Sequence, residues 1–175
     1  MKTLNVIGCG RVGQTLAALL HRGRLCEVQD LYARTPGSAQ QAGEFIGAGR
    51  PVARLSQIRP ADVWLIGVPD TQISLAAEAL ELVLDAAPEP EGPAVAFHCS
   101  GFFPADALGA LRRRGLRLAS AHPSLNFASP QTGVSQFAGT PCGLEGDPDA
   151  VAVVRELLTG IGGLCFDVAT ESKSL

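Results

Sequence analysis

The residues most able to do chemistry by type and spacing are three glycines in the run Gly8-Cys9-Gly10-Arg11-Val12-Gly13. The apolar stretch Leu4 to Ile7 precedes them, and Val12, Leu16, Leu19 and Leu20 follow at helical spacing. A Gly-x-Gly-x-x-Gly run between a strand and a helix permits a tight turn, brings backbone close to a phosphate, and packs helix against strand. The helix N-terminus then turns unpaired N–H groups toward the anion. Gly8, Cys9, Gly10, Arg11, Val12 and Gly13 are therefore expected to hold the pyrophosphate of a dinucleotide.

The ribose position refines this. An acidic residue about 20 positions past the glycines takes the ribose hydroxyl of NAD. Here Arg34 stands 21 residues after Gly13, with Thr35 and Ser38 as hydroxyl donors, and arginine meets a 2′-phosphate with a bidentate fork. Asp30 is the rival, but its place within the second strand turns it away from the turn that meets the ribose. The spacing favours NADP over NAD.

Three further stretches end predicted strands, where open α/β sheets bind ligands. In Gly67-Val68-Pro69-Asp70, Val68 and Pro69 are expected beside the cofactor, and Asp70 either contacts ligand or caps the helix that follows. His98 and Ser100 lie in one of the other two stretches, His122 and Asn126 in the last. Histidine titrates near neutrality, so His98, Ser100, His122 and Asn126 could orient a carbonyl or imine and supply a proton. Alternatively, the two histidines satisfy backbone carbonyls at strand ends. Ser100 lacks the Gly-x-Ser-x-Gly setting of a nucleophile and reads better as a turn.

The elements that would position these groups alternate along the chain. Strands are expected at Leu4–Ile7, Glu27–Ala33, Val52–Arg54, Asp62–Val68, Val95–His98, Leu116–Ala121, Pro141–Glu145 and Leu164–Val168. Helices are expected at Arg11–His21, Pro36–Phe45, Thr71–Leu84, Ala105–Arg114 and Pro148–Thr159, with a loop over Ala86–Pro93. This is the pattern of an α/β doubly wound, mostly parallel Rossmann sheet with helices on both faces and a right-handed crossover at each step.

The chain of 175 residues suits one domain over residues 1–168 and a tail over 169–175. Its net charge of −3 gives no electrostatic reason to expect nucleic acid. It carries no apolar run of membrane-spanning length and no signal-peptide pattern, so a cytoplasmic location is expected by default. The cysteines are five in number and widely spaced, as reduced core thiols would be, and no histidine or cysteine spacing suggests a metal.

Four stretches carry a family likeness: Val6 to Gly13; Tyr32-Ala33-Arg34-Thr35 with Ser38-Ala39; His98-Cys99-Ser100-Gly101; and Ala121-His122-Pro123-Ser124-Leu125-Asn126-Phe127. On these the chain resembles the Rossmann-like proteins with a DUF2520 domain, relatives of the 6-phosphogluconate dehydrogenase, ketopantoate reductase and pyrroline-5-carboxylate reductase group. The resemblance implies extra strands after the sixth, with Gly143 to Asp147 matching the seventh. It also implies that Lys173 leads toward an all-helical domain that completes the active site and usually a homodimer. The expected activity is hydride transfer between NADP(H) and a small carbonyl, hydroxyl or imine substrate. Val68, Pro69 and Ser100 would line the nicotinamide, and His98 or His122 would donate the proton. The other expectation is a dinucleotide-binding sensor or interaction module without catalysis.

Overall fold

A computed structural model describes residues 1–84 and 93–173. Eight strands form one sheet in the order β3-β2-β1-β4-β5-β6-β7-β8. They are β1 Lys2–Ile7, β2 Cys26–Tyr32, β3 Arg50–Val52, β4 Val63–Ile66, β5 Val95–His98, β6 Arg117–Pro123, β7 Pro141–Gly146 and β8 Leu164–Asp167. The helices are α1 Arg11–Arg22, α2 Pro36–Ile46, α3 Ile73–Val83, α4 Pro130–Gln136 and α5 Pro148–Gly160. The expected loop over Ala86–Pro93 lies, except for Pro93, outside the described residues. No helix among the described residues is long and apolar enough to cross a membrane.

Strand periodicity divides the core between two faces. On β4 and β5, Val63, Leu65, Val95 and Phe97 join α1, α2 and α5 on one face. The alternate residues Trp64, Ile66 and Ala96 meet Ile73, Ala77 and Leu80 of α3 on the other. The segment Ala105–Arg114 also covers this second face, as a 3₁₀ helix and not the ordinary helix expected. Its buried residues Ala105, Leu108 and Leu111 fall at strict i, i+3 spacing, the period that stacks along one face at three residues per turn.

Three expectations need correction. The third strand sits two residues earlier than predicted, because Arg50 is the register partner of Asp30 and bonds its carboxylate. The crossover rule fails between β6 and β7, which pair antiparallel. The chain between them includes α4, which packs against α1. Pro123 at the end of β6 is the register partner of Cys142 near the start of β7, so the chain re-enters the sheet at the end it left. Asp70 caps no helix: it begins a short 3₁₀ turn that Pro69 precedes, and its side chain makes no capping bond.

A buried polar network fixes the β1–β2–β3 edge. The β1–β2 register slips between Leu4 and Val6, and the buried Asn5 fills the irregularity. Its Oδ1 accepts from the Asp30 N–H at 3.0 Å and from Gln29 Nε2 at 3.1 Å. The wholly buried Asp30 carboxylate accepts from Arg50 Nε at 3.0 Å, Arg59 Nη2 at 2.7 Å and the Arg59 N–H at 2.8 Å. Burial works to raise the Asp30 pKa, but the bonds from Arg59 and Arg50 outweigh it and hold the carboxyl below its usual range. Asp30→Asn is expected to cost about 2 kcal/mol of unfolding free energy in urea titrations near pH 7. Because the folded-state pKa is depressed, the wild-type advantage is complete above about pH 4 and shrinks as the pH falls further.

Candidate functional site

The glycine loop is built by exclusion of side chains. Gly8 has φ +87°, and a Cβ there would lie 2.7 Å from Val68 Cγ1 and 2.8 Å from the Gly67 carbonyl carbon. A Cβ on Gly13 would lie 2.8 Å from the Gly8 carbonyl oxygen, and one on Gly67 would lie 2.7 Å from the same oxygen. Thus Gly67, which ends the β4 run and was not singled out in the sequence, belongs to the same backbone contact. Its N–H donates to the Ile7 carbonyl at 2.7 Å, as the Gly8 N–H does to Tyr32 at 2.8 Å. Gly10 differs, since the nearest atom to its Cβ would be Gly67 O at 3.6 Å. It is the N-cap of α1 and has no side chain to satisfy the first-turn N–H groups, which remain for a ligand.

A cleft of about 680 Å³ opens over this loop. Gly8, Cys9 and Gly10 line it together with Arg34 and Ser38, and Val68, Pro69, Leu75 and Ala76 add apolar surface. Arg34 is exposed and has no hydrogen-bond or ion-pair partner among the described residues. Thr35 instead caps α2, accepting from the Ser38 N–H at 3.2 Å, and its hydroxyl pairs with that of Ser38 at 2.8 Å. Asp30, held by its two arginines, does not line the cleft. The apolar wall from Leu55, Leu75, Ala76 and Ala79 was not anticipated, since it joins residues of separate elements. Cys9 is a bystander whose thiol points to the Tyr32 carbonyl at 3.7 Å, and burial pushes its pKa up to about 12.

A second polar group gathers past the end of β5. Ser100 Oγ donates to Asp70 Oδ2 at 2.7 Å and accepts from the N–H groups of Phe102 and Phe103, each at 3.0 Å. With its proton and lone pairs committed, Ser100 ties the β4 loop to the β5 loop and is not poised as a nucleophile. His98 is wholly buried. Its Nδ1 accepts from the Ser100 N–H at 3.1 Å, which leaves Nε2 protonated and donating to the Pro104 carbonyl at 2.8 Å. Burial lowers the His98 pKa and keeps the ring neutral. The expectation of His98 as proton donor therefore gives way to backbone satisfaction, because neither nitrogen is open.

His122 is different. It is exposed, its Nδ1–H donates to the Cys99 carbonyl at 3.3 Å, and Gly101 packs against the ring so closely that a Cβ there would lie 2.9 Å from Nε2. Asn126 is exposed, and its side chain joins none of these bonds. The chain's last described turn completes the group: the buried Lys173 Nζ donates to the Ser100 carbonyl at 2.8 Å. Burial draws the Lys173 pKa below its usual value, against the pull of Glu145. Glu145, on β7 and not foreseen, accepts from the Ala105 N–H at 2.7 Å, Ser120 Oγ at 3.0 Å and Thr170 Oγ1 at 2.9 Å.

No family model matches the chain, and no curated protein matches it. Solved structures do. A candidate NADP oxidoreductase from Bacteroides fragilis superposes with TM-score 0.80 at 18% identity, covering 99% of this chain and 62% of its own. Prephenate dehydrogenase from A. aeolicus, solved with hydroxyphenyl propionate and NAD+, gives 0.77 at 16%, covering 98% and 61%. A pyrroline-5-carboxylate reductase from Coxiella burnetii gives 0.70 at 16%, covering 97% and 60%. The chain thus spans about three fifths of the length of these structures, and the likeness establishes the α/β Rossmann-like fold.

The histidine assignment has a measurable signature. The folded-state pKa of His98 is depressed, so the unfolded chain binds the extra proton and stability is lost as the pH falls below about 6.5. Urea unfolding between pH 7.5 and 5 should show this loss in the wild type, and His98→Gln should flatten the slope even though it lowers stability throughout.

Proposed function

We propose that this chain is the NADP-binding domain of an oxidoreductase that moves hydride between NADP(H) and a small carbonyl, hydroxyl or imine substrate. In this reading it is related to the DUF2520 Rossmann-like proteins. The observation that carries the reading is a pairing within one cleft: Gly10 is open where its three companion glycines are jammed, and the unpaired Arg34 guanidinium stands on the wall beyond it. The first meets a pyrophosphate, the second a 2′-phosphate.

The residues present fit that cofactor. Gly8 to Gly13 would hold the pyrophosphate on the N-terminus of α1, with Arg34 and Ser38 at the 2′-phosphate and the Leu55–Leu75–Ala76 wall against the adenine. Val68 and Pro69 would border the nicotinamide, which supplies the hydride when bound. Asp70, through Ser100, keeps the β4 and β5 loops at a fixed separation. His122, with Nδ1–H committed to Cys99, presents Nε2 to accept or return the proton that accompanies hydride transfer. Lys173, buried and bonded to the Ser100 carbonyl, would hold the Ser100 turn in place beside the substrate. Asn126 remains the proposed orienting group at the mouth. The full activity, a homodimer and a cytoplasmic setting belong to the same reading.

Melting in NADP and NAD series tests the cofactor: NADP should raise the transition, since a ligand of the native state stabilises it. Arg34→Ala should weaken NADPH binding at least about tenfold and leave NADH binding nearly unchanged. No shift with either cofactor at millimolar concentration would overturn the reading. His122→Ala should lower NADPH-dependent reduction about 100-fold with the NADPH dissociation constant unchanged. A cofactor-dependent shift with no turnover on any carbonyl or imine would favour the sensor module, a role consistent with the commitment of His98 and Ser100 to backbone bonds.

A further inference from the structure

Two thiols that hydride transfer does not use lie side by side at the outer edge of the sheet. Cys142 on β7 and Cys165 on β8 are register partners in a parallel pair. Neighbouring strands run about 4.8 Å apart, within the Cα separations of about 4.4–6.8 Å that disulfides span. Both side chains project to the α5 face: Cys142 is wholly buried in that core and Cys165 packs against it. Thr159 of α5 bonds the Cys165 sulfur at 3.7 Å, and the Cys142 thiol donates to the Thr140 carbonyl at 3.4 Å. All five cysteines of the structure are free.

We propose that Cys142 and Cys165 form a redox-responsive dithiol that a hydroperoxide closes into a disulfide, stapling β8 to β7. The half-exposed Cys165 meets the oxidant first. Its thiolate attacks the peroxide O–O bond, giving a sulfenic acid and releasing one alcohol or water. The Cys142 sulfur then attacks the Cys165 sulfur, the S–O bond breaks, and a second water leaves, so two thiols lose two electrons and two protons to one peroxide. Burial pushes the Cys142 pKa up to about 12, so little of it is thiolate and the second step is the slower one. The staple has reach into the polar cluster, because β8 runs directly into Thr170 and Lys173, which contact Glu145 and Ser100. The competing partner is Cys99, whose thiol also feels Cys142.

The test is hydrogen peroxide treatment of the folded chain, followed by alkylation, thiol titration and peptide mapping. Thiols should fall from five to three, with the chain lighter by two hydrogens. Trypsin cuts after Arg117, Arg155 and Lys173, so the two cysteines fall in separate peptides, 118–155 and 156–173, that should appear linked and separate on reduction. Cys165→Ser, at a half-exposed edge position, should give no linked peptide under the same treatment. Retention of all five thiols, a Cys99–Cys142 link, or loss of thiols only to sulfinic acid would each overturn the proposal.

Discussion

Three backbone segments meet at Gly8, Gly13 and Gly67 with no room for a single added carbon, and the geometry of the cleft depends on that contact. It seats α1 against the end of β1, and it draws the end of β4 to the same point. Everything downstream inherits this placement. The β4 loop leaves Gly67 on a fixed course, Asp70 reaches Ser100, and Ser100 organises the turn against which His122 lies. A Cβ at any of the three would strain backbone against backbone, which cannot be relieved by a rotamer change.

The far side of the cleft is held by polar groups in an interior setting. His98, Ser120, Glu145 and Lys173 are all buried, yet among the described residues no buried side-chain nitrogen or oxygen lacks a partner. Unpaired, each would carry a desolvation cost of about 1–3 kcal/mol, and more for the charged ones. Complete pairing confers a defined geometry instead, since such a network tolerates one arrangement where an apolar core accepts several. The price falls on catalytic freedom, because His98 and Ser100 spend their polar atoms on backbone.

Much of the fold was legible because its signals are local. The glycine run, the alternation on β4 and β5, and the helical spacing of Leu16, Leu19 and Leu20 each act within a few residues. What escaped was set by distance. Gly67 looks like any loop glycine until Gly8 is placed against it, and Glu145 reads as the polar residue of an outer strand until Ala105 and Thr170 approach. Asn5 sits in an apolar run with no local mark of its bond to the β2 backbone. In the site, the place of Arg34 on the cleft lining agrees with its spacing from the glycines, but His98 and His122 could not be told apart. Both end strands; only the surrounding carbonyls decide which ring is closed and which is open.

The two halves of the site also differ in which part of the chain supplies them. Every residue lining the cleft lies between Ile7 and Ala79, whereas the polar cluster needs Glu145 and Lys173 from the last third of the chain. During synthesis, the cradle can assemble from β1 to α3 while the strand that carries Glu145 and the turn that carries Lys173 are still to come. The order of synthesis therefore places a formed glycine cradle ahead of its polar counterpart, and the later half is built onto an existing surface.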